Sequence, residues 1–201
     1  MALKDLKELL DVGFEFHGHR CPAMPLGLRS GLAAMKALGV ERSQSGELYL
    51  ISNTGKDHAS GCFLDGLMVA TGCTYGKSNI EKTYYNKFTF TLIDTESQKA
   101  VLAYLKPGFV EKMLQSPFVK ERRKGKKAQD IPDEVLNPLL ETVLTIPEET
   151  FIMVGSVVDW KFEKKPVVFE ATLCDGCGEI TFINKLTEKD GKRLCPDCIQ
   201  K

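Results

Sequence analysis

Four cysteines near the carboxy end restrict this chain more than any other feature: Cys174-x2-Cys177-x17-Cys195-x2-Cys198. Each Cys-x-x-Cys pair lets two sulfurs reach one ion from a tight knuckle, and the spacing between the pairs lies in the range of four-cysteine zinc sites. Gly176, Gly178, Pro196 and the Lys189-Asp190-Gly191-Lys192 turn supply the backbone freedom that the knuckles and the hairpin between them require. A fragment of about 30 residues has almost no core of its own, so free or disulfide-bonded cysteines would leave it unable to fold alone. The expectation is a small zinc-ribbon or treble-clef-like module at 169–201, following a larger domain at 1–168. Four thiolates fill a tetrahedral site, which makes this zinc structural.

A second concentration lies near the amino end, in Phe16-His17-Gly18-His19-Arg20-Cys21-Pro22, which holds two of the three histidines and one of the seven cysteines. An extended backbone would send His17, His19 and Cys21 to one side. Pro22 and Pro25 suit the entrance of a helix with apolar positions Leu28, Leu32, Met35 and Leu38, stopped by Gly39. Cys21 then precedes a helix amino terminus, where free N–H groups favour a thiolate or an anion. His58, Cys62, Asp65 and Cys73 crowd into a second short region. On a helix, Cys62 and Asp65 share a face at i, i+3. Cys62 and Cys73 could equally be small buried apolar residues. These residues form the candidate pocket, with a possible second metal site at His17, His19 and Cys21, and with His58 and Lys77 in secondary roles. A nitrogen and sulfur donor set favours zinc, iron or nickel over magnesium.

Leu3, Leu6, Leu10 and Phe14 mark an amphipathic helix over 3–14. A strand is expected at 47–51, a buried helix at 62–70, strands at 87–93 and 100–105, helices at 107–114 and 132–144, and closing strands of the main domain at 151–158 and 166–173. Strands interleaved irregularly with helices imply an α+β fold, a mixed or antiparallel sheet with packed helices. Gly72-Cys73-Thr74-Tyr75-Gly76-Lys77-Ser78 imitates a phosphate loop, yet it has three residues between its glycines instead of four and follows a helix, which excludes nucleotide hydrolysis. Lys77 could still offer its charge to an anionic substrate group.

Lysine plus arginine equals aspartate plus glutamate at 27 each, so no global field recruits nucleic acid or membrane. The run 120–127, with six basic residues and one acidic, reads as a solvated loop, and no aromatic residues interleave it for base stacking. No apolar run reaches the roughly 18–20 residues of a membrane span. An odd number of cysteines in Cys-x-x-Cys pairs suits a reducing compartment, so a soluble cytoplasmic protein is expected.

These motifs together resemble the FmdE family of formylmethanofuran dehydrogenase proteins, in the form with a carboxy-terminal zinc finger. The resemblance rests on residues 16–22 with Gly27-Leu28-Arg29, on Cys62 with Asp65-Gly66, on Thr71-Gly72-Cys73-Thr74-Tyr75-Gly76-Lys77 with Asn79, and on the four cysteines. The family pattern has glycine where Ala23 and Ser78 stand, and glutamine where Met68 stands. The resemblance implies an α+β core forming an intertwined homodimer, a site around the His/Cys motif with a suspected metal, and a link to the enzyme that reduces carbon dioxide onto methanofuran in methanogenesis. The leading expectation is therefore a dimeric metalloprotein, an enzyme or a component associated with one, acting on a small molecule. Against it stand a regulatory or adaptor protein whose ribbon and basic run bind nucleic acid or a partner, and a thiol redox sensor using Cys21 with Cys62 or Cys73.

Overall fold

The computed structural model describes residues 6–56, 58–164 and 166–200, and of residues 58 and 59 the backbone alone. The chain divides into two compact units, Met1–Phe162 and Glu163–Lys201, a break slightly earlier than the sequence suggested.

In chain order the first unit contains α1 (Leu6–His17), α2 (Ala23–Leu38), β1 (Leu48–Ser52), α3 (His58–Thr71), β2 (Ile80–Lys82), β3 (Thr89–Asp94), β4 (Lys99–Leu105), α4 (Pro107–Leu114), α5 (Pro117–Arg123), α6 (Asp133–Thr145), α7 (Glu148–Phe151), β5 (Ile152–Val154) and β6 (Val158–Asp159). Its sheet runs β2-β1-β3-β4-β5, with β6 also on β4. Among the described residues the β1–β2 pair is parallel and the other pairs of this sheet are antiparallel. The fold is thus α+β with a mixed sheet. The alternation read in the sequence survives in β3, where Phe90 and Leu92 are fully buried and Thr89 and Thr91 are half-buried.

Helices α2 and α3 form the centre of the unit. Their backbones touch because glycines stand at the crossing: a Cβ on Gly27 would lie 1.8 Å from the carbonyl oxygen of Phe63, and one on Gly66 would lie 2.0 Å from that of Met24. A Cβ on Gly31 would lie 2.7 Å from the Cβ of Ala70. One core fills the space against the sheet, with Leu26, Phe63, Leu67, Phe90, Leu92, Val101 and Phe151. A second lies on the helical side and includes Leu9, Met24, Leu28, Phe118, Leu136 and Leu140, and it also encloses Cys21 and Cys62. Burying each large side chain contributes about 1.5–3 kcal/mol, so this second core holds the helix ends that carry the cysteines firmly in place.

Other motif residues of α2 and its end serve the fold itself. Gly39 ends α2 at φ +69°, donating its N–H to Lys36 while Val40 donates to Met35, a Schellman stop. The Arg29 guanidinium donates to the carbonyls of Val143 (2.5 Å) and Ile146 (2.7 Å) at the end of α6 and lies 4.7 Å over the Phe151 ring. That planar fork suits arginine and not lysine.

The second unit contains β7 (Ala171–Leu173), β8 (Ile180–Phe182), β9 (Thr187–Lys189), β10 (Lys192–Leu194) and α8 (Pro196–Ile199). The β7/β8 and β9/β10 pairs are antiparallel hairpins. Asp190 (φ +52°) and Gly191 (φ +73°) form the two-residue turn of the second, where both central positions need positive φ. The strand expected at 166–173 is thereby corrected: among the described residues only its last three are in a ladder, and they pair with β8 within this unit.

Other departures are local. The helix expected from residue 3 begins, within the described residues, at Leu6. The stretch 151–158 divides into two short strands. The basic run is not a free loop: Lys120 to Arg123 close α5, and Glu121 receives both Lys124 (2.5 Å) and Lys126 (2.6 Å).

Candidate metal centre

The histidine segment is not extended. Helix α1 continues through His17, and Gly18, at φ +82° with its N–H on the Phe14 carbonyl (2.9 Å), ends it. Pro22 then turns into α2 in a helical conformation. The three side chains therefore converge through a tight helix–turn–helix passage and not through strand alternation. Helix α3 brings Cys62 to the same place. One ligand atom each from His17, His19, Cys21 and Cys62 lies within 4.8 Å of the others.

The cluster is polarised. His17 Nε2 faces Cys21 Sγ at 3.5 Å, while His17 Nδ1 meets Asp65 Oδ2 at 2.7 Å. Asp65 stands one turn along α3 from Cys62 on the same face, as its i, i+3 spacing requires. The hydrogen bond to Asp65, and then that to Cys21, raise the pKa of His17 to about 9. Cys21, although buried, is held well below the usual thiol range by hydrogen bonds from Cys62, His17, His19 and the Met24 N–H at the start of α2. Cys62, sharing the proton with Cys21 and buried beside it, is pushed up. Within this pair negative charge is favoured at Cys21 over Cys62.

The donors fit a transition metal. Tetrahedral bonding with metal–sulfur and metal–nitrogen lengths of about 2.3 and 2.0 Å separates a sulfur from an imidazole nitrogen by about 3.5 Å, the separation found between Cys21 and His17. Asp65 on the far ring nitrogen of His17 completes a carboxylate–histidine pair of the kind that fixes the tautomer of a metal ligand.

Cys73 is not part of this cluster. It is fully buried in the sheet-side core, where burial raises its thiol to about 11 and its N–H donates to the Thr71 hydroxyl (3.1 Å). Lys77 also departs from expectation, since its Nζ is directed to the carbonyls of Ser43 (3.1 Å) and Gln44 (3.3 Å). Asn79 Nδ2 donates to the Leu48 carbonyl (3.1 Å), so this motif clamps the 43–48 segment. Gly72, at φ +71°, closes α3 where a Cβ would lie 2.3 Å from the Ser43 carbonyl. The side chain of His58 lies outside the described residues.

In the second unit the four cysteines also form one cluster, with ligand atoms within 4.8 Å of one another. Cys177 and Cys195 sulfurs are 3.9 Å apart, against about 3.8 Å for two sulfurs on one tetrahedral ion. The N–H groups of Cys195 (3.2 Å) and Gly176 (3.4 Å) point at Cys174 Sγ, and such donors lower that thiol to about 6. The knuckle is prepared to present a thiolate.

An α+β core with a His/Cys cluster at the junction of three helices, joined to a four-cysteine ribbon, defines the class of protein. Residues 16–152 match the family described as FmdE, molybdenum formylmethanofuran dehydrogenase operon, and the chain belongs to that family. It is 31% identical over 205 residues to a probable S-adenosyl-L-methionine-binding protein of Archaeoglobus fulgidus, covering 96% of this chain and 53% of the relative. The chain therefore spans about half the length of that curated relative. Its fold is similar to that of a tungsten formylmethanofuran dehydrogenase FmdE-like protein from Syntrophus aciditrophicus. The TM-score is 0.60 with 21% identity, covering 99% of this chain and 97% of the other. No helix among the described residues is long and apolar enough to cross a membrane.

Proposed function

We propose that this chain is a metalloprotein with two sites of different kinds: a structural zinc held by Cys174, Cys177, Cys195 and Cys198, and a reactive metal held by His17, His19, Cys21 and Cys62. One observation carries the second site, the gathering of two imidazoles and two thiols within 4.8 Å of one another, with His17 oriented by Asp65. Zinc, iron or nickel suits that donor set. When bound, the metal supplies Lewis acidity toward a small molecule. The chain's own groups do the rest. Asp65 holds the His17 ring so that Nε2 faces the site, the Met24 N–H and the two imidazoles stabilise charge on Cys21, and the apolar wall of Leu9, Met24 and Leu28 limits water.

The protein works on this reading as a cytoplasmic homodimer, an enzyme or a component associated with one. The two Cys-x-x-Cys pairs among seven cysteines suit a reducing compartment, and the family resemblance supports the dimer and a link to formylmethanofuran chemistry. The description of the Archaeoglobus relative makes S-adenosyl-L-methionine one small molecule to test. The adaptor reading is weaker, because Glu121 already neutralises two lysines of the basic run.

X-ray absorption at the edge of the bound metal tests the proposal. The expected result is a shell containing imidazole nitrogen as well as sulfur, with the nitrogen contribution lost in a His17→Ala/His19→Ala variant. A purely sulfur shell in the wild-type protein would overturn it.

A further inference from the structure

Tyr84 stands at φ +61°, a left-handed conformation that a bulky aromatic residue rarely adopts, and Asn86 repeats it at φ +59°. The segment is tied at both ends, by the Thr83 N–H on the Ser52 carbonyl and the Lys87 N–H on the Asn53 carbonyl, both 2.9 Å. Its middle is seated on Gly55, where a Cβ would lie 1.5 Å from Asn86 Oδ1. A strained turn held this way persists only because its surroundings over-determine it, and such turns gather at ligand sites. What the turn presents is an aromatic ring 54% exposed, with the ammonium groups of Lys56 and Lys82 at 5.5 and 5.3 Å from its centroid. Among the described residues neither lysine is in an ion pair. Gathering two like charges at one solvent-facing ring is repulsive in itself, and a bound anion relieves that repulsion.

The arrangement is linked to the His/Cys cluster along the chain through the start of α3. Lys56 is two residues before α3 and Cys62 is four residues past its start. A rise of about 1.5 Å per helical residue and at most about 3.6 Å per extended one keeps their Cα atoms within about 13 Å.

We propose that Lys56, Lys82 and Tyr84 bind the anionic group, a carboxylate or a phosphate, of the small molecule whose other end reaches the His/Cys cluster. This rests on the metal-site reading for what happens at the far end, but anion binding is measurable by itself. The metal-loaded protein is titrated with inorganic phosphate and, separately, with acetate, while the lysine and tyrosine side-chain resonances are followed by NMR. The expected result is a saturable shift at Tyr84, Lys56 and Lys82, weakened at least about fivefold in Lys56→Gln/Lys82→Gln, with circular dichroism and metal content unchanged. Tighter binding of phosphate assigns a phosphate ligand, and tighter binding of acetate a carboxylate. No saturable response to either anion, or an equal response in the double variant, overturns the anion site even if the core metal is present. A normal response in protein that takes up no metal at the core cluster when loaded upholds the anion site and removes the metal reading instead.

Discussion

At Asp65 a single carboxylate decides how His17 is used. Exchanging it for asparagine keeps a hydrogen-bonding group at 2.7 Å from the ring but removes the charge that fixes the tautomer. Asp65→Asn should therefore weaken core metal binding about 10–100-fold, read by competition with a chromophoric chelator, while binding at the four-cysteine site is unchanged. Equal losses at both sites would mean a general structural defect. Glu47 offers a residue-scale test of the clamp ahead of β1. The N–H of Ser45, with those of Glu47 and Gln44 and the Ser43 hydroxyl, hold its carboxyl at about 2 instead of 4.5. A depressed carboxylate stabilises the fold above its unfolded value and loses that contribution as pH falls through its folded value. The stability gap between wild type and Glu47→Gln, about 1 kcal/mol or less for so solvated a group, should be full above pH 4.5 and fade toward pH 2 in urea titrations. A gap that does not change with pH would contradict this role.

The helix pair α2/α3 is the element on which the site depends, since Cys21 leads into one helix and Cys62 lies in the second turn of the other. A methyl on Gly27 would meet the Phe63 carbonyl at 1.8 Å, and backbone atoms cannot step aside. Gly27→Ala should cost at least about 3 kcal/mol by chemical denaturation and reduce core metal binding along with stability. A loss under 1 kcal/mol would show that the helices can separate freely. Helix α2 is legible in the sequence because its apolar residues recur at helical spacing and Gly39 marks its end, and α3 is legible as a buried apolar stretch over 62–70 that begins earlier, at His58. That Gly27 and Gly66 are the crossing point is not, since a glycine's role in close approach depends on what lies opposite. The His17–Cys21 spacing misleads for a related reason: strand alternation would also bring those two side chains to one side, whereas in the fold α1 ends at His17 and the chain turns at Gly18 before α2. Cys73 and Lys77 belong to a motif whose composition suggests a pocket wall. Its glycine and threonine instead serve to end α3 and hold the next segment, a distinction that only the position of residues 43–48 reveals. Tyr84 gives no periodic signal, and its importance comes from a backbone angle.

At the scale of the molecule, two metal-competent clusters sit on two separately compact units. Net charge is balanced, so specificity must come from local arrangements such as the lysine pair at Tyr84. The four-cysteine spacing makes the second unit legible because few backbones satisfy it. The core cluster is legible only in part, since Cys62 joins His17, His19 and Cys21 through the fold and not through sequence proximity. The most direct measurement is metal content per chain by mass spectrometry for the wild type, Cys21→Ser and Cys174→Ser. Two equivalents are expected in the wild type, one for each cluster, with Cys21→Ser losing the core metal and Cys174→Ser the zinc. One zinc per chain, unchanged in Cys21→Ser and lost in Cys174→Ser, would contradict the reactive site.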